Sequence, residues 1–493
     1  MTSSTIEIER LVASLEIDRL VPECYESYRP FVRDAIGFFL NQLPRPRRRK
    51  ILASLAALPE GLPAEALAVH VLSACPTLHK LGQVLARHEA LDPVLRKQLQ
   101  QLEYFESTSD THRVARAIRR ELGPAFGKYR IRLETDSLLQ GSVADVMRCE
   151  WQRPGRKRVH RAVLKVLRPG IEGQVRDELA ILIDLADYLD SRREAYDLPS
   201  FEYRKMLETV RDLLVNETLL HQEQVHLQQA DRFYDEDENV RIPKKLPFST
   251  PRVTAMEWID GVKITEPSRL AENFTPVTAT QLAARVLDSL ISKVVFSRSD
   301  DALFHADPHA GNLFALKDGS LALLDWALVG RLTKRQREDL AAIMWGALRL
   351  DVNRVRKAIR SLSTEIQDTK NVSTVIASAL RQVRKGRIPG PTWLGELFDA
   401  LLSNGVQFPA DLLLFRKSLF TIKGVIFDID PNFSIDREFF LSFLRVFAGE
   451  FPRRLRTLPF SRDFKSQLSN LDLIRSYLAS PLSLARYAGI RTV

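Results

Sequence analysis

Through the first ~120 residues apolar positions recur three and four apart, as in Leu11, Leu15 and Ile17 and then Phe31, Ile36 and Phe39, with few strand-like runs. That period is helical. Pro22, Pro44, Pro59, Pro63 and Pro76 cut the stretch into short pieces. From about residue 126 the texture changes. YRIRLET, VADVMRCEW and HRAVLKVLRP are short β-branched runs separated by loop signals such as RPGRK at 153–157, and they predict three antiparallel strands. Helical patterns follow at 170–191 and 201–233, and IPKKLPFSTPRVTAMEWIDG predicts an extended segment ending in a strand at 252–259. The remainder reads as mostly helical. One exception is LFALKDGSLALLD, where Asp318-Gly319 between two apolar runs signals a hairpin.

Strands with a helix, one connecting strand, then helices interrupted by a hairpin: this is the order of a two-lobed, protein-kinase-like α+β fold with a helical N-terminal extension. The expected divisions are the extension over 1–125, an N-lobe over 126–259, a C-lobe over 260–460 and a C-terminal helical tail over 461–493. Fold alone does not decide the chemistry.

The chain has 493 residues, 45% of them apolar and 27% charged, so it can bury a sizeable core. Cys24, Cys75 and Cys149 form no CxxC pair, which argues against a disulfide framework or a zinc site and fits a reducing, cytoplasmic setting. The opening MTSSTIEIERLVASLEIDRL lacks the apolar core of a signal peptide. No run of about 18 apolar residues occurs; LDLIRSYLASPLSLARYAGI is broken by Arg475, Ser476, Pro481 and Arg486, so no transmembrane segment is expected.

A net charge of +10 favours an anionic partner, and the absence of a recognised module argues against nucleic acid. The basic cluster from Pro44 to Lys50 reads as a solvated interhelix loop, with contact to an anionic membrane as its alternative. A second cluster, Arg453, Arg454 and Arg456, is interleaved with Phe451, Leu455 and Leu458 and reads as amphipathic. Peripheral membrane attachment is left open.

Phosphoryl transfer from ATP requires cations on the phosphates and a positioned acceptor more than covalent help from the protein. Lys165, in the apolar run Ala162 to Leu167, is a candidate phosphate ligand, since a charge inside an apolar strand is costly unless paired. FHADPHAGNLF, the hairpin and LLDWALVG carry the stronger signal. Asp307 precedes Asn312 by five residues and Asn312 precedes Asp325 by thirteen, the spacing of a kinase catalytic loop and metal loop. A helical carboxylate should orient Lys165. Glu217 and Glu223 both lie in the 201–233 pattern but about 240° apart around a helix, so one of them faces elsewhere; Glu217 is favoured.

From about 78 to 440 these residues resemble the UbiB/AarF group of atypical kinase-like ATPases. Besides HADPHAGN, the chain has His79-Lys80-Leu81-Gly82-Gln83, similar to that family's KxGQ motif, and AVLKVLRPGI, MEWIDGVKI and VQFPADLLLFRKSLFTIKGV, similar to further family segments. The resemblance implies Mg²⁺ and ATP as cofactors, with Gly141, Ser142, Lys165, Glu257, Asn312 and Asp325 binding the nucleotide, Asn312 and Asp325 holding the metal, and Asp307, Lys165 and Glu217 catalytic. It implies that Lys80 and Gln83 gate substrate access from a helix over the acceptor site. It also implies a part in ubiquinone or other isoprenoid-lipid metabolism, with an isoprenoid or quinone-precursor lipid as partner.

Several positions depart from the family pattern. Asp145 stands where glutamine is common in the nucleotide-covering loop, Leu219 replaces the aspartate of ExD, His226 replaces an asparagine, and Asp325-Trp326-Ala327 stands in place of DFG. Two alternatives remain in view: a small-molecule phosphotransferase of the aminoglycoside or choline kinase type, and an ATP-binding pseudokinase regulator.

Overall fold

The computed structural model describes residues 21, 23–59, 61, 62, 64–85, 111–140, 143–192, 196, 211, 215, 218–266, 278–366 and 369–478. The chain forms two compact units, one of residues 1–224 with 245–258 and the other of residues 225–244 with 259–493.

The sheet of the first unit is antiparallel. Its strands β1 (Arg132–Leu133), β3 (Ala144–Gln152), β4 (Val159–Leu167) and β6 (Val253–Glu257) lie in that order, and β2 (Leu139–Gln140) also pairs with β3. Side chains alternate across a strand. Met147, Cys149 and Trp151 therefore share one face with Ala162, Leu164, Val166, Val253 and Ala255, and the helix Thr111–Leu122 covers that face with Val114, Ile118 and Leu122. Lys165 and its register partner Val146 project from the opposite face.

The preamble helices Arg29–Gln42, Arg45–Ala56, Ala64–Ser73 and Pro76–Leu85 belong to the same unit. Phe31, Phe39, Leu40, Leu72 and Leu78 pack with Ile181, Leu182, Leu185 and Leu189 of the helix Ile171–Arg192. Cys75 and Cys149 are buried free thiols; burial pushes both up, Cys149 to about 12, so neither is a nucleophile at neutral pH.

The basic cluster corrects the sequence expectation. Rather than a solvated loop, Arg45 begins a helix, which Pro46 suits because the first helical turn needs no backbone donor there. Arg47 turns inward, where its Nη2 donates to Glu178 Oε1 (2.6 Å) and to Ala74 O (3.4 Å). Glu178 Oε2 also accepts from Thr77 N (2.8 Å). Glu178 is fully buried on the apolar stripe of Val175, Leu182 and Leu185. Burial raises its proton affinity, and Arg47 and the Thr77 amide oppose that rise.

In the second unit β5 (Val240–Arg241), β10 (Leu321–Leu323), β9 (Leu313–Leu316) and β7 (Gly261–Lys263) make a four-stranded sheet, with β5 parallel to β10 and the other pairs antiparallel. The Asp318-Gly319 turn joins β9 to β10 as expected. Gly319 takes φ 78°, and Asp318 Oδ1 accepts from Ser320 N at 2.9 Å. More strands occur here than one hairpin, for β8 (Asp301–His305) pairs with β11 (Val329–Thr333), and β12 (Glu365–Ile366) with β13 (Val406–Gln407). Runs of two to five residues are too short to show a period of two.

The helix Ala410–Ile429 is fixed to the β8–β11 pair at three points. Asp411 Oδ1 accepts from Arg331 N (3.0 Å), Phe415 meets Phe304 edge-on (5.3 Å), and Ser418 Oγ donates to His305 O (2.9 Å). Gly330 faces Phe304 so closely that a Cβ would fall 2.2 Å from the ring. No helix among the described residues is long and apolar enough to cross a membrane.

Candidate active site

The first unit supplies a lysine and a carboxylate. Lys165 Nζ lies 2.9 Å from Glu223 Oε1, with side chains 15% and 4% exposed. Desolvation on that scale is tolerated because each charge answers the other. The first turn of the helix Leu220–Tyr234 carries Glu223. Its neighbour Gln224 pins that turn to the sheet, donating to Thr250 O (2.8 Å) and to Thr254 Oγ1 (3.1 Å); Thr254 is the register partner of Lys165 on β6.

Among the described residues the carboxylate beside Lys165 is Glu223; the favoured Glu217 lies outside them. Gly141 and Ser142 also lie outside them, as does the side chain of Gln83. Lys80 is half-buried on the helix Pro76–Leu85, whose first turn is tied to Glu178 through Thr77. Glu257 ends β6 opposite Ala162 and is half-buried.

Asp145, at the start of β3, is buried, and neither of its oxygens has a hydrogen-bond partner among the described residues. Burial raises its pKa to about 6, opposed by Arg168.

The second unit carries the Asp307–Asn312 loop and Asp325. β8 ends at His305, whose Nε2 donates to Leu324 O (2.9 Å) while its Nδ1 accepts from Asp307 N (3.2 Å). This pattern needs one ring proton. Burial lowers the histidine's pKa, which keeps it neutral. Asn312 Nδ2 donates to Asp307 O (3.2 Å), so the amide oxygen is the end left for a cation. Register pairs Leu313 with Leu323, and Leu324 N donates to Asn312 O (2.9 Å), which sets Asn312 across from the residue preceding Asp325.

Asp325 has φ 54°, an uncommon value for a residue with a side chain, and Ala327 N donates to its Oδ1 (3.2 Å). Trp326 is fully buried; its indole N–H donates to Leu323 O (3.1 Å), and its carbonyl accepts from His226 Nδ1 (3.2 Å). An amide oxygen and a carboxylate are hard donors that suit Mg²⁺ when phosphate oxygens and water complete the shell.

One side chain escaped the sequence reading. Lys417 Nζ lies 3.1 Å from Asp307 Oδ1 and comes from the helix Ala410–Ile429. In the sequence only its segment stands out, as part of VQFPADLLLFRKSLFTIKGV.

A strand lysine paired with a helical carboxylate, an Asp-Asn loop after a short strand and an aspartate in a left-handed turn after a hairpin define an atypical kinase-like protein. Residues 105–359 match the model of the ABC1 atypical kinase-like domain, and the chain belongs to that family. It is 26% identical over 363 residues to an uncharacterized protein of Synechocystis, covering 71% of this chain and 86% of that one. A probable protein kinase UbiB of Pseudomonas putida is 24% identical, covering 73% of this chain and 66% of its own length. The chloroplast protein ACTIVITY OF BC1 COMPLEX KINASE 1 of Arabidopsis thaliana is also 24% identical, covering 78% and 54%. The match therefore spans about two thirds and about half of the last two relatives.

Proposed function

We propose that the protein binds Mg·ATP and transfers its γ-phosphoryl group, to an isoprenoid or quinone-precursor lipid or to water, in support of isoprenoid-quinone metabolism. The Lys165–Glu223 pair carries the reading, because a buried, carboxylate-oriented ammonium on a central strand is the arrangement that meets ATP phosphates. Mg²⁺, when bound, would neutralise phosphate charge, and Asn312 and Asp325 would hold it. Asp307 accepts the proton of the acceptor hydroxyl as its oxygen bonds to the γ-phosphorus. The bond from that phosphorus to the bridging oxygen breaks, and ADP leaves with the electron pair. Lys80 and Gln83 gate the acceptor's approach. The lipid assignment rests on the family resemblance and on the relatives named UbiB.

A non-catalytic nucleotide-binding regulator is the second reading, favoured by Leu219, a half-exposed apolar residue where the family carries aspartate. Calorimetry with Mg·ATP and phosphate release by purified wild type and Lys165→Met decide. Binding and release, both lost in the variant, support the proposal; binding without release in the wild type supports the regulator, and no binding overturns both.

A further inference from the structure

The tip of the β3–β4 hairpin carries more positive charge than its turn needs. Strand register ends at Gln152 opposite Val159, and the exposed residues between them are Arg153, Pro154, Gly155, Arg156, Lys157 and Arg158. Pro154 and Gly155 suffice to reverse the chain: Gly155 takes φ 74°, and Arg156 N donates to Arg153 O (3.0 Å). Neither calls for four cations at one tip, where like charges repel. None of the four has a carboxylate within 4.0 Å among the described residues, whereas Arg148, further along β3, has Glu134 at 3.4 Å. The surroundings add to the field. Arg161 on β4 and Arg132 on β1 are both exposed and share a single acidic register partner, Glu150.

The tip is firmly seated. Gln152 N donates to Tyr129 O (2.9 Å), its Oε1 accepts from Arg130 Nη1 (3.3 Å), and its Nε2 donates to Lys157 O (3.4 Å). Trp151 anchors the hairpin from within, buried against Tyr129, Phe248 and His160. Arg130 holds φ 47°, an uncommon value for a residue with a side chain. Cations fixed in advance on a short turn lose little freedom when a partner arrives.

The side chains present select the partner among anionic classes. Val159, 47% exposed, is the sole large apolar side chain exposed between 150 and 162, so the tip has nothing to insert into a bilayer. Single-stranded nucleic acid is held by bases stacked on aromatic rings, and Trp151 is buried with His160 tilted over it at 5.3 Å. What remains outside is mostly arginine, whose planar fork meets a carboxylate through two hydrogen bonds, with one apolar contact at Val159. Arginine beside a small apolar contact is the composition of a protein interface.

We propose that the β3–β4 tip, with Arg153, Arg156, Lys157 and Arg158, docks a partner protein through a segment rich in aspartate and glutamate. The inference is independent of the nucleotide reading.

Fluorescence anisotropy of the full-length protein with a labelled oligoglutamate, and with single- and double-stranded RNA and phosphatidylglycerol vesicles as competitors, tests it. Wild type should bind the oligoglutamate, less tightly as salt rises. Arg156→Gln with Arg158→Gln should weaken binding about tenfold at unchanged melting temperature, because the tip cations act together on one segment. Lys357→Gln with Arg360→Gln removes the same charge from exposed positions of the second unit and should leave binding within about twofold of wild type. No binding by wild type, or equal weakening by the two double variants, overturns the proposal, the latter by showing that net charge alone is read. So does tighter binding of either RNA or of the vesicles that the Arg156/Arg158 variant abolishes.

Discussion

Lys417 donates to Asp307 across 3.1 Å, from a helix that two other contacts fix to the strand leading into the Asp307 loop and a third fixes to that strand's partner β11. A pair this exposed, with the lysine side chain at 42%, adds little to stability, ~0–1 kcal/mol. On the proposed function its worth lies in aiming the carboxylate and in keeping an ammonium beside the transferring group. Lys417→Met should therefore lower turnover by about a hundredfold while Mg·ATP affinity and melting temperature stay near wild type, with Lys417→Arg restoring part of the rate. Steady-state kinetics beside calorimetry check this; a loss confined to affinity would assign the lysine to ground-state binding.

Asp307→Asn and Asp325→Asn should differ in kind. On the proposed function the first removes the proton acceptor and leaves the metal donors, so turnover falls and nucleotide affinity persists. The second removes a metal donor and weakens Mg-dependent binding itself. Titrations of each variant with ATP, with and without Mg²⁺, separate them, and equal losses of affinity would contradict distinct roles.

Arg47→Met strands the Glu178 carboxylate in an apolar core and should cost about 3–5 kcal/mol in chemical denaturation. The double variant Arg47→Met with Glu178→Met should recover most of that loss, because no uncompensated charge remains. An additive double-variant result would count against the pair.

Asp145 gives a pH signature. Its folded pKa, about 6, lies above the ordinary aspartate value of 3.8, so the folded state keeps a proton that the unfolded chain has released. The contribution to stability is then fully present below about pH 4 and is lost as pH rises through 6, with an upper bound near 3 kcal/mol. Asp145→Asn should raise the melting temperature at pH 7.5 by several degrees, and the gain should vanish near pH 4. Parallel melting curves of wild type and variant at both pH values would refute the assignment.

What the sequence made legible was local. The Asp-Gly turn lies within two apolar runs, and the Asp307, Asn312 and Asp325 spacing falls on one loop and one hairpin, so neighbours along the chain remain neighbours in space. Lys165 was legible as a charge among apolar residues. That Glu223 faces Lys165 depends on the phase of a helix and so on where its first turn is anchored, and Gln224 makes that anchor through Thr250 and Thr254. Lys417 and Asp307 are 110 residues apart, and Arg47 and Glu178 are 131 apart. No periodicity encodes either pairing, although Glu178 interrupts an apolar stripe and so announces a buried partner without naming it. Arg454 reads in the sequence as one of three alike, but it is buried because Glu450, Phe464 and Asn470 close around it, which no local pattern encodes.

The indole of Trp326 has consequences for inhibitor design. In many kinases the aromatic residue after the metal-binding aspartate rotates out and vacates a pocket that selective compounds fill. Here the ring donates to Leu323, lies 4.8 Å from His305 and 6.2 Å from Tyr234, and has its carbonyl held by His226. Rotating it outward would break the indole bond and open a void the size of tryptophan, so scaffolds that draw selectivity from the vacated pocket should gain nothing against this protein.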